Sequence, residues 1–262
     1  MVELAADWDQ LAREIDLWEA AGSEPSLWWR DDDAVADSPA LRELRRVAGV
    51  PLALAVIPLA PDRPLQNSLA VALADWPAAI VLQHGIQHRN AAAPSAKKSE
   101  FPADRAMAEI DSGLAAARAH LQQSFGAQFI PVLTPPWNRI AAAFLPVLAR
   151  QGYRGISRFA EPPYQNPTPI KGLLEVNTQV DVIDWRGSRG FAGESACLGR
   201  LVAHLAARRA GATDPLKPTG ILTHHLVHDA ATWRFLENLQ DWLARRRKLH
   251  IFSSPAAIWS PG

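Results

Sequence analysis

The segment His84-Gly85-Ile86-Gln87-His88 carries two imidazoles four positions apart. Side chains at that spacing aim at one point if the backbone between them makes a single helical turn. Some fifty positions upstream lies Trp29-Arg30-Asp31-Asp32-Asp33-Ala34, a carboxylate run able to supply a third ligand. Two imidazoles and one carboxylate hold a divalent metal and leave positions open for water and substrate. Each piece also has a plain alternative. H-x-x-x-H is a common pattern, and a run of aspartates serves equally well as a solvated turn or a helix N-cap. Where the pieces fall among the secondary-structure elements decides between these readings.

The apolar pattern divides the chain into short strands alternating with helices. Leu4, Trp8, Leu11, Ile15 and Trp18 recur at helical spacing and are stopped by Gly22. Ser38-Pro39 opens a second helix, and the stretches 103–125, 140–151, 194–210 and 230–247 read as further helices, the last with Trp233, Leu236, Leu239 and Leu243 on its buried side. Strand-length apolar runs occupy 26–29, 51–57, 79–82, 129–133, 154–157, 181–184, 220–223 and 249–252. The polar stretch 89–102 reads as a long surface loop or a lid, and 160–172, with Pro162, Pro163, Pro167 and Pro169, as an irregular connection. Alternation of this kind argues for a parallel sheet. Seven or eight units in 262 residues fit one deformed or incomplete (β/α) barrel filling the whole chain as a single domain.

In such barrels chemistry sits at the C-terminal ends of the strands. Asp31–Asp33 follow the first predicted strand, and His84 and His88 the third. Thr134-Pro135-Pro136-Trp137-Asn138, Asp184-Trp185-Arg186 and His224-His225 follow later ones. Five polar or aromatic groups therefore converge on one rim, which makes a purely structural reading of all of them improbable.

This order of motifs resembles the polysaccharide deacetylase (NodB-homology) family, metal-dependent carbohydrate esterases with a deformed β/α barrel. The resemblance runs from about Leu27 to His225. It implies that Asp32 is the general base, that Asp33, His84 and His88 are the metal ligands, and that His224, in Leu222-Thr223-His224, is the general acid. It further implies that Asp184, of the Asp184-Trp185 pair, holds that imidazole. Arg30, Trp137, Asn138 and Trp185 are the expected substrate-binding residues. The chain departs from the family pattern at three places. Gly85 stands for a Ser or Thr, Ala34 for a Gly, and Thr134 for the arginine of an Arg-x-Pro-aromatic motif that orients the base. Arg30, Arg139 and Arg186 are the candidates to replace that arginine.

The implied chemistry is hydrolysis of an N- or O-acetyl group, with an oxyanion held by the metal and a backbone N–H of the Pro-aromatic loop. Zinc is the expected ion because imidazole-rich sites favour it, with nickel, cobalt and manganese as alternatives. Two other readings use the same residues: hydrolysis of a small linear or cyclic amide, and a non-catalytic carbohydrate binder on a degenerate site. His225 and His228 read as surface or supporting residues. Ten tryptophans exceed what a core alone would require, so some are expected to line the cleft. Lys and Arg match Asp and Glu at 27 each, so no broad field favours nucleic acid or an anionic membrane. The single cysteine, Cys197, excludes an intramolecular disulfide and reads as a small buried residue. The N-terminal residues lack the pattern of a signal peptide, and no apolar run is of spanning length, so the expectation is a cytoplasmic protein.

Overall fold

The computed structural model describes residues 5–164, 166 and 168–260; Leu4 and Pro167 lie outside the described residues. The strands are β1 (Leu27–Ala34), β2 (Leu52–Val56), β3 (Ala79–His84), β4 (Phe129–Thr134), β5 (Gly155–Ile156), β6 (Leu174–Glu175), β7 (Val180–Asp181) and β8 (Thr219–Thr223). They form one sheet in the order β6-β5-β4-β3-β2-β1-β8-β7, and every pair is parallel. The two ends of that order are consecutive in the chain. Val176 and Thr178 donate to Ile156 and Arg158 beside β5, whereas Gln179 and Val182 donate to Gly220 and Leu222 of β8. One bent segment therefore changes partners partway along and draws the curled sheet towards closure, which makes the barrel deformed rather than regular.

The helices are α1 (Trp8–Ala20), α2 (Pro39–Ala48), α3 (Asn67–Ala74), α4 (Met107–Phe125), α5 (Leu145–Arg150), α6 (Glu194–Arg209), α7 (Ala230–Arg245) and α8 (Pro255–Ile258). Their apolar stripes pack on the sheet. Leu11, Ile15, Leu41, Leu44, Leu201, Leu236 and Leu239 share one core with Leu54, Val56, Val81 and Ile221. The opposite face of the sheet encloses a second cluster of Trp28, Ala53, Leu82, Ile130, Val132, Val176 and Trp259. Trp259, just after α8, meets Trp28 edge-on at 5.2 Å. Gly220 allows this packing, since a Cβ there would lie 2.4 Å from Trp28 Nε1.

Apart from elements whose ends shift, two predicted elements differ. The run 249–252 is not a strand but a 3-10 turn, Leu249–Ile251, with one bridge from Phe252 to Leu27. Ile251 and Phe252 are apolar because they are buried, not because they pair. The predicted helix 140–151 splits into a 3-10 turn, Ala142–Phe144, and α5, where Pro146 begins a new helix because it has no N–H to continue the old one. The polar loop after His88 is anchored at its far end, where Ser99, Glu100 and Phe101 are buried. Among the described residues no helix is long and apolar enough to cross a membrane.

Candidate metal centre and active site

In a regular strand neighbouring side chains point to opposite faces, so Asp32 and Asp33 could not share a site. β1 solves this with a bulge. Its register against β2 breaks between Asp32 and Ala34, and Asp33 adopts φ 78°. The extra residue re-aims one side chain, a recognised use of bulges beside active sites. Short polar side chains tolerate this left-handed region better than most.

His84 is the last residue of β3 and is buried. The segment between it and His88 is not the helical turn expected from H-x-x-x-H. It is an irregular bend in which Gly85 has φ 65° and His88 φ 56°. Glu100 shapes that bend, since its buried carboxylate accepts from Ile86 N–H at 3.0 Å and Gln87 N–H at 2.7 Å. Burial pushes the Glu100 carboxyl up, against the pull of those two N–H groups. The bend brings His84 Nε2 to 3.3 Å and His88 Nε2 to 3.2 Å from Asp33 Oδ1.

Asp33, His84 and His88 offer three ligand atoms that all lie within 4.8 Å of one another. The set fits a divalent cation in three respects. Asp33 Oδ1 is buried without an aligned hydrogen-bond partner among the described residues. His84 Nδ1 lies 2.9 Å from the Thr134 carbonyl, the second contact that usually fixes a ligating imidazole and frees Nε2. His88 titrates low, at about 4, because of burial and the neighbouring His84, so at neutral pH it is the uncharged form that metals bind. Burial works to raise the Asp33 carboxyl, but His84, and behind it His224 and His88, outweigh that and hold it well below the usual carboxylate range. Trp137 packs beside His88 with ring centres 4.7 Å apart.

Asp32 is buried and carried by Arg30. One edge of the guanidinium faces it: Nη2 donates to Oδ2 at 3.0 Å, and Nε makes an ion-pair contact with Oδ1 at 2.9 Å. Arg30 also donates to Ser157 Oγ at 2.8 Å and to Asn138 Oδ1 at 2.8 Å, and none of it is exposed. Arg30 and Asn138 were expected to bind substrate; instead Arg30 is enclosed and spent on Asp32, and Asn138 is part of its cradle. Arg139 and Arg186 point elsewhere, to the Lys98 carbonyl and to Glu161. The N–H groups of Asn138 and Arg139 are used within the Pro-aromatic turn, donating to Pro135 and Pro136.

His224 follows β8, with Nε2 4.0 Å from Asp32 Oδ2. Trp185 stands edge-on to it at 4.8 Å and is 44% exposed. The carboxylate near His224 is Asp181, not Asp184. Asp181 is buried, interacts with the charge of His224 and accepts from Trp185 Nε1 at 2.9 Å. Burial pushes the Asp181 carboxyl up, against the pull of His224. Asp184 instead accepts from the N–H groups of Arg186, Gly187 and Ser188 and shapes its own loop. The reason lies in strand length: β7 ends at Asp181, three residues earlier than the apolar run suggests.

No family model matches the chain, and no curated protein does. Solved structures do. The Bc1960 peptidoglycan N-acetylglucosamine deacetylase superposes with a TM-score of 0.56 at 14% identity, over 90% of this chain and 89% of that one. A Streptococcus mutans CE4 esterase gives 0.56 at 14%, over 96% and 92%. The Xyl-CE4 domain of a multidomain xylanase from the hindgut metagenome of Trinervitermes trinervoides gives 0.51 at 12%, over 90% and 90%. The chain has the polysaccharide-deacetylase fold.

Within this deacetylase fold the departures from the motif pattern have local causes. Arg30, two residues before Asp32 on the same strand, pairs with that carboxylate, which Thr134 does not. Gly85 cannot be a Ser or Thr here, because a Cβ would lie 2.1 Å from Glu100 Oε2 and 2.6 Å from Pro136. Asp181, Glu100 and Ser157 were not legible as site residues. Asp181 sits inside an apolar run and Glu100 inside a polar loop, so neither stands out by type or spacing. His225, expected near the surface, is buried, with Nδ1 2.5 Å from Asp31 Oδ1. His228 is half-buried, accepts from the His224 N–H at 3.2 Å and packs edge-on to Trp233.

Proposed function

We propose that the protein is a metal-dependent hydrolase that removes an N- or O-acetyl group from a carbohydrate. The carrying observation is the placement of Asp33, His84 and His88 beside an Asp32 that Arg30 holds by both oxygens, with His224 4.0 Å away. Asp33, His84 and His88 are the ligands, and zinc suits their imidazole-rich set. When bound, a divalent ion supplies Lewis acidity towards the acyl oxygen and lowers the pKa of water.

The chain's own residues do the rest. Asp32 accepts a proton from the water that adds to the acyl carbon, and Arg30 keeps that carboxylate turned towards it. His224 Nε2 gives a proton to the leaving nitrogen or oxygen as its bond to carbon breaks. Trp185, whose Nε1 donates to Asp181, packs edge-on against the imidazole from the other side. Trp137 and Trp185 flank the opening as flat surfaces for a sugar ring. A second reading, hydrolysis of a small linear or cyclic amide, would use the same residues.

Two measurements test this. Elemental analysis of the purified chain should give about one divalent metal per molecule, lost in His84→Ala and His88→Ala; unchanged metal in both variants would remove the basis of the reading. The metal-loaded chain is then screened against N-acetyl sugars, acetyl esters and small linear and cyclic amides. Turnover of acetylated sugars that falls roughly 10²–10⁴-fold in Asp32→Asn supports the proposal. Sugar binding with no turnover of any of these compounds supports a non-catalytic binder instead.

A further inference from the structure

Asp31 is enclosed on the outward face of β1, with none of its side chain exposed, and the proposed chemistry makes no use of it. Its carboxylate accepts three hydrogen bonds: from Thr223 Oγ1 at 2.6 Å, from the His225 backbone N–H at 3.0 Å and from His225 Nδ1 at 2.5 Å. Thr223 and His225 are the residues immediately before and after His224. Thr223 Oγ1 in turn accepts from Trp29 Nε1 at 2.8 Å, so the network is rooted in β1.

The pairing of β1 with β8 ends at Asp31 and Thr223. Beyond that point no ladder bond fixes the direction of the chain, yet His224 must present its imidazole to the site. Its side chain cannot do so alone. Nδ1 is buried with no hydrogen-bond partner among the described residues, and Nε2 reaches nothing nearer in Asp32 than 4.0 Å. A slip of one residue would turn it to the other face. Asp31 takes over where the ladder stops. The Thr223 hydroxyl and the His225 N–H donate to one oxygen, and His225 Nδ1 donates to the other in the tautomer that a carboxylate selects; an amide would keep all three bonds only if that imidazole gave up its Nδ1 proton.

We propose that Asp31 is a positioning residue that clamps both neighbours of His224 and thereby holds that imidazole in its proton-donating place. The inference rests on His224 being the acid of the proposed hydrolase. A residue acting in this way should matter most where the leaving group needs a proton.

The test uses the full metal-loaded chain and two acetyl compounds: 4-nitrophenyl acetate, whose leaving group departs unprotonated, and an N-acetyl amino sugar, whose amine does not. In Asp31→Asn the ratio of amide to ester kcat should fall about 10-fold, in the direction shown by His224→Asn. The double variant should be no worse than His224→Asn alone, since the two act as one unit. Thr223→Val, which removes one of the three bonds, should shift the ratio the same way to a smaller extent and serves if Asp31→Asn does not fold. In the metal-free, ¹⁵N-histidine-labelled protein, the imidazole resonances of His224 should be a single set that splits or broadens in either variant. Equal loss on both compounds, additive losses in the double variant, or unchanged His224 resonances would overturn the clamp. If the unaltered chain hydrolyses neither compound, the acetyl-hydrolase reading falls, and the histidine spectra by themselves decide whether Asp31 places His224.

Discussion

Three adjacent aspartates have three different fates, set by which way each points. Asp31 faces outward to His225, Asp32 inward to Arg30, and Asp33, turned by the bulge, towards His84 and His88. Arg30 is the residue that holds Asp32. A planar fork can meet a carboxylate edge-on while its remaining N–H groups reach Ser157 and Asn138; an ammonium cannot. Arg30→Lys should therefore keep the metal and lose roughly 10–100-fold in kcat. Arg30→Met should also lower stability by about 3–5 kcal/mol, because it leaves the buried Asp32 charge unpaired. Steady-state kinetics beside denaturant unfolding would show both effects, and a fully active Arg30→Lys would mean that the paired geometry is not needed.

At the scale of elements, the connection after β3 decides whether two histidines become a site. Gly85 at φ 65° turns the chain, and Glu100 from the far end of the following loop holds the turn through two N–H groups. A serine at position 85 would match the deacetylase motif but not this backbone. Its Cβ would strike Glu100 and Pro136, and a side chain is disfavoured at that φ. Gly85→Ser should thus lower the melting temperature and weaken zinc binding by about 10-fold or more, as disturbing the support of a ligand commonly does. Calorimetric titration with zinc would report it; affinity equal to that of the unaltered chain would show that the loop does not place His88.

For the whole molecule, burial of histidines sets the acid side of the stability profile. His204 titrates at about 3 and His228 at about 4, in both cases because burial disfavours the charged ring, assisted at His204 by Arg208. Both lie below the unfolded value of about 6.5. Between those limits the unfolded chain binds more protons than the folded one, so stability falls as pH drops from about 6.5 towards 4. His225 has the opposite sign. Burial lowers it, but the Asp31 charge prevails and raises it, so its contribution is complete below about 6.5 and is lost as pH rises through its folded value. Stability of the metal-free protein should therefore peak near neutrality. Thermal melts in chelator at pH 7 and pH 4.5 check this, and His204→Gln should flatten the acid limb; a melting temperature that does not change between the two would contradict it.

The sequence by itself determined the alternation of strands and helices, the rim on which the polar residues gather, and the candidates Asp32, Asp33, His84, His88 and His224. These follow from local periodicity, strand length and motif order, which a chain displays before it folds. In the structure His224 lies towards Asp32 while His225 lies towards Asp31, as alternation along an extended strand directs neighbours. Only the tertiary structure decided which arginine meets Asp32, since Arg30, Arg139 and Arg186 are alike in type and differ in what surrounds them. It replaced Asp184 by Asp181 because β7 ends early, and moved His225 from surface to interior because β1 offers it a carboxylate. It also brought Glu100 and Ser157 to the site from segments with no distinguishing pattern. A bulge, a strand end and a loop's return are set by packing among residues far apart in sequence, and a linear pattern does not encode them.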